Sequence, residues 1–293
     1  MAVPHDRRAA DAAIREFAER HLLKITDFLR EERVAIESIT IAFNALNKGY
    51  AHLGDAAYAD PTVGLLLNML HRNFEHAEAA LVACVTGSGA SAEVISRTAV
   101  ETSTNIIYIL IGDRVKRLRA YFEHYLRETN RQIGQWQRRI NDLPLSDQTI
   151  HNNAIIRRQN ATASFQKLVQ DLFEPPQESW PNAAQRFEAI GCGIEYRTLY
   201  SRLSSETHAD AEETLRYFVG KTHADPIIFE AMALETIMFT RFLIYNAIVF
   251  FIKACGAYVI SYSLEDTLPQ MKNALDNAMT KLLDIAPHVG AGV

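Results

Sequence analysis

The sequence predicts an all-α, multi-helix bundle with no significant sheet. Apolar residues recur at helical spacing through almost every long segment. No stretch alternates with the two-residue period of a half-buried strand, and Gly and Pro punctuate the chain between the periodic runs. A chain of 293 residues is long enough for a substantial core.

The elements follow in order. From about Arg8 to Asn47 the pattern reads as one long or two consecutive helices, with Ile14, Phe17, Leu22, Ile25 and Leu29 on an apolar face. Glycines and Asp60-Pro61 mark a connection, and a helix from about Thr62 to Val85 stops at the Gly87-Ser88-Gly89 turn. The next helix reaches about Ile111, where Gly112-Asp113 separates it from a strongly amphipathic helix ending before Pro144. A further helix from about Ser146 to Phe173 is stopped by Pro175-Pro176. A short helix near 181–190 leads through Gly191-Cys192-Gly193 into a polar-striped helix; His208-Ala209-Asp210 lies within it or at a break, where Asp210 with Glu213 has the capping-box spacing to start a following turn. Two helices, about 227–260 and 264–285, close the chain. The expected organisation is an N-terminal helical extension over 1–60 and a main helical domain over 61–293, packed as one unit.

Charged residues make up 22% of the chain and the formal net charge is -5, a balance that gives no global attraction for nucleic acid or anionic lipid. The basic runs Arg114–Arg119 and Arg127–Arg139 are interspersed with Glu and aromatic residues and read as a solvated helix face. Cys84, Cys192 and Cys255 are far apart in apolar contexts, which points to buried free thiols rather than a disulfide framework or metal knuckle. The N-terminal residues lack the apolar core of a secretory signal, so a cytoplasmic location is expected. Ile237–Ile252 is the most hydrophobic stretch. Arg241 and Asn246 interrupt it, its unbroken run falls short of the roughly 20 residues that span lipid, and it reads as a central core helix or one buried at a dimer interface.

The strongest functional lead is a polar stripe in an apolar setting: Arg197, Tyr200, Ser204 and His208 fall within roughly 80° of one another on an ideal helix. A second stripe, Glu93, Arg97, Glu101, Thr104 and Tyr108, runs along an earlier helix. Facing each other, the two would build a buried or half-buried polar site, because such groups are costly to bury unless paired. In a catalytic reading His208 exchanges a proton, Arg197 or Arg202 stabilises an anion, and Glu101 is a base held by Arg97. In a structural reading the same groups form a hydrogen-bonded network that orients helices, with Arg97 flanked by Glu93 and Glu101. His71, Glu75 and Glu78 share a face and could meet a metal, yet the pattern is ordinary on a solvated surface. Metal-binding helical spacings such as His-Glu-x-x-His and Glu-x-x-His are absent, and no metal or cofactor is assigned.

Arg202 and His208 enclose five residues, Leu203 to Thr207. This segment resembles the arginine–histidine motif of the helical HEPN ribonucleases, although Leu203 stands where a polar residue commonly follows the arginine. The resemblance implies a histidine that acts in RNA phosphodiester transfer and a site completed by dimerisation. Six residues rotate an ideal helix by about 600°, so cooperation of the two side chains requires a helix break or a dimer. More broadly, Arg97-x-x-x-Glu101 followed by Tyr196-x-x-x-Tyr200-x-x-x-Ser204-x-x-x-His208 resembles a bacterial domain-of-unknown-function family, numbered 5677, over roughly residues 65–225. That resemblance implies a helical domain and supplies no activity.

Three readings follow. In the first, the chain is a metal-independent nuclease or phosphoryl-transfer enzyme, with His208, Arg202, Arg197 and Glu101 catalytic and Arg97, Tyr196, Tyr200 and Ser204 organising the site. An RNA or phosphate-containing ligand, a homodimer and no membrane are its expected partners. In the second, it is a non-enzymatic interaction or regulatory protein whose polar networks are structural. In the third, it is a bundle that binds a small molecule or metal.

Overall fold

The computed structural model describes residues 7–24, 27–55, 59–140, 142–174, 179–200, 218 and 226–288. In chain order the helices are α1 (Arg7–Arg20), α2 (Asp27–Glu31), α3 (Arg33–Leu53), α4 (Pro61–Val85), α5 (Gly89–Leu110), α6 (Arg114–Ile140) and α7 (Leu145–Leu172). Next come α8 (Ala183–Ala189), α9 (Gly193–Glu195) running into a π-helical turn (Tyr196–Tyr200), α10 (Pro226–Ser261) and α11 (Leu268–Ile285). Among the described residues there is no strand, and the fold is an all-α bundle. The chain forms two compact units: residues 1–110 with 183–293, and residues 111–182.

The first unit is organised around α10. This helix is apolar on every face, the signature of an element that must be surrounded. It packs against α5, α4, α3 and α11. Tyr245, Phe250, Phe251 and Tyr258 are fully buried, each aromatic burial being worth about 1.5–3 kcal/mol. Phe251 meets Phe74 of α4 at 6.0 Å between ring centres, and Phe74 stacks on Phe43 of α3 at 3.8 Å. The span Thr236–Ser261, 26 residues long, is long and apolar enough to cross a membrane, so run length does not argue against a span. Burial does: 78% of its most apolar window is enclosed by protein.

Charge enters this core in matched pairs. Arg241 Nε lies 2.6 Å from Glu32 Oε1, and Glu32, at the junction of α2 and α3, is almost wholly buried. Burial raises the Glu32 carboxyl above its usual range, and the Arg241 charge opposes that rise. The adjacent Thr240 donates to Glu93 of α5 at 2.6 Å. The three cysteines are free, and burial pushes the Cys84 thiol up to about 12.

Local sequence fixes the ends of α4. Asp60 caps it, accepting from the Thr62 backbone N–H at 2.8 Å, with Pro61 in the first turn, where no backbone donor is needed. Gly87, at φ 83°, makes the left-handed turn into α5 that a side chain would oppose. Tyr258 of α10 donates to the Val63 carbonyl at 3.1 Å, tying the far end of α10 to the start of α4.

The second unit is an antiparallel hairpin of α6 and α7. Arg119, Leu126, Ile133 and Ile140 recur every seven residues on α6, opposite Ile155, Thr162 and Val169 on α7, and all seven are buried. Ile133, Ile140 and Ile155 form a cluster that Trp136 covers. Arg119 is the charged member of this seam. Its guanidinium donates to the carbonyls of Val169, at 3.1 Å, and Phe173 at the end of α7, and to Glu123 at 2.7 Å.

Arg241→Leu leaves the Glu32 carboxylate buried without its cation and is expected to destabilise the fold by about 3–5 kcal/mol. The double variant Glu32→Leu/Arg241→Leu should recover most of that loss. Equilibrium urea unfolding measures both, and a double variant as unstable as Arg241→Leu would contradict the pairing.

Candidate functional site

The site lies where α5, α8 and the π turn meet. Gly191, at φ 74°, reverses the chain between α8 and α9 and brings the π turn back over α8. A π turn closes i→i+5 rather than i→i+4 hydrogen bonds, so each residue advances the helix by a smaller angle. Tyr196 and Tyr200 are thereby brought into register, with ring centres 5.5 Å apart and planes 24° from parallel. Phe187 of α8 packs against both rings at 5.6 and 5.4 Å and against Phe250 of α10 at 5.9 Å. Aromatic packing thus seats the turn on the core.

Polar groups converge on the buried face of Tyr200. Its hydroxyl donates to Glu101 Oε2 at 2.8 Å, and Arg97 Nη2 approaches the same hydroxyl at 3.4 Å. The Arg97 guanidinium carbon lies 4.8 Å from the centre of the Tyr200 ring, within cation–π range. The other Glu101 oxygen accepts from Arg186 Nη2 of α8 at 3.3 Å, and Arg186 is buried. Burial raises the Tyr200 phenol above its usual range. Neutral Tyr200 is therefore a donor to a carboxylate and an aromatic face for a cation.

The two stripes meet at Arg97 and Glu101 from α5 and Tyr200 from the π turn. Tyr196 supports Tyr200 by stacking. Arg197 is exposed while Tyr200 is buried; the π turn separates two side chains that an ideal α-helix would place on one face. Arg202, Ser204 and His208, with Asp210 and Glu213, lie outside the described residues. Glu93 is engaged by Thr240 of α10 at 2.6 Å, which ties this part of the stripe to the core helix. Arg186 is the participant that sequence reading missed. It stands in a seven-residue helix, too short for periodicity to mark a buried face.

The metal alternative fares differently. His71 Nε2 pairs with Asn47 Oδ1 at 2.8 Å, while Glu78 is held by Arg20 and, at 3.3 Å, by His21. Among the described residues no group of three or more His, Cys, Asp or Glu could hold a metal ion.

Residues 64–225, more than half of the chain, match the model of a family of unknown function, DUF5677. No curated protein and no solved structure matches the chain.

Two outcomes are expected. Tyr200→Phe keeps the ring on Arg97 and removes the hydrogen bond to Glu101, a loss of about 1.5–3 kcal/mol for a bond to a charged acceptor. Chemical denaturation reads it, and an unchanged midpoint would count against the bond. For His71, burial lowers the pKa below 6.5. The unfolded chain then takes up a proton first on acidification, so this group's contribution to stability falls as pH drops below 6.5 toward the folded value. Melting curves of wild type and His71→Gln at about pH 7.5 and about pH 5.5 should show a smaller acid-induced drop in the variant.

Proposed function

Because the chain belongs to the DUF5677 family, which carries no assigned activity, we propose from the site itself that this is a non-enzymatic helical interaction or regulatory protein. In this reading its polar networks hold helices in place. The observation that carries it is the mutual engagement of Arg97, Glu101, Arg186 and Tyr200. Both Glu101 oxygens have donors, and Tyr200 gives its hydrogen to Glu101 and its ring face to Arg97. These contacts join three chain segments across the unit and commit Glu101 to its neighbours on two of them. Buried polar networks of this kind specify one arrangement of helices.

A second reading keeps the HEPN-like expectation of a metal-independent nuclease or phosphoryl-transfer enzyme centred on His208, with Arg202, Arg197 and Glu101 acting on an RNA or phosphate-containing ligand. The π turn favours it, because such turns are frequent at functional sites and this one directly precedes the Arg202–His208 segment. In that reading Ser204, with Arg97, Tyr196 and Tyr200, organises the site.

The readings diverge at His208. If the polar stripe is structural, His208→Ala and Ser204→Ala should each lower the melting temperature, with effects that are not additive, and wild type should leave RNA intact. If it is catalytic, folded His208→Ala should lose RNA cleavage with only a modest fall in stability. Purified wild type and both variants, scanned thermally and incubated with a mixed RNA panel with and without divalent metal, distinguish the two. Cleavage by wild type that disappears in folded His208→Ala would overturn the interaction reading.

A further inference from the structure

No further inference is drawn: the strongest candidate, the cleft of about 430 Å³ between the end of α1, α4 and the start of α5, carries none, because its buried carboxylate, Glu78, is already matched by Arg20 and His21 and nothing in the structure shows what ligand would occupy it.

Discussion

The main unit depends on enclosing α10. A helix with no polar face depends on its neighbours for cover, and 78% of the most apolar window of α10 is enclosed by them. The backbone chemistry of that cover is local: a cap at Asp60, a left-handed glycine at residue 87 and another at 191. The energetic requirement is global. Arg241 cannot enter the interior alone, and Glu32 reaches it from the junction of α2 and α3. One buried pair thereby makes the position of the N-terminal helices a condition for folding the C-terminal ones.

The candidate site repeats this arrangement nearer the surface. Glu101 and Arg97 on α5, Arg186 on α8 and Tyr200 on the π turn form a group in which charge, hydroxyl and aromatic face are matched. Phe187 then fastens the turn to the core through Phe250. α5 serves both networks, giving Glu93 to α10 and, two turns later, Glu101 to α8 and the π turn. Polar residues along a single buried helix therefore index two different neighbours, which explains why its hydrophilic stripe runs through an otherwise apolar sequence.

Much of this was readable from local signals. Asp60-Pro61-Thr62 announced the start of α4, glycine placed the turns, and four-residue spacing aligned Arg97 with Glu101. What escaped was geometry without a periodic signature. Arg197 left the face of Tyr200 because a π turn has a different angular step, and no residue type marks such a turn in advance. Arg186 sits in too short a helix to show a face. Glu32 stands in the mixed-charge run Arg30-Glu31-Glu32-Arg33, and nothing local ties it to Arg241, more than two hundred residues away in the chain. Gly112-Asp113 and Pro175-Pro176 mark helix ends near the hairpin's limits at residues 111 and 182, but the same signals occur between helices of one unit and do not distinguish a boundary between units.

Arg119 has a further consequence for the hairpin. A seam that repeats every seven residues could slide by one repeat and still set apolar rows against each other, so hydrophobicity alone leaves the alignment degenerate. The guanidinium removes that degeneracy. Its acceptors lie at the C-terminal end of α7: the Val169 carbonyl takes the guanidinium beside the Phe173 N–H, and the Phe173 carbonyl lies past the last helical turn. Shifted by one repeat, Arg119 would meet the middle of α7, whose carbonyls are already committed to the helix, and would keep only Glu123 of its present partners. The two helices are thus held against slippage by the one residue in their seam that contributes least to their hydrophobic attraction.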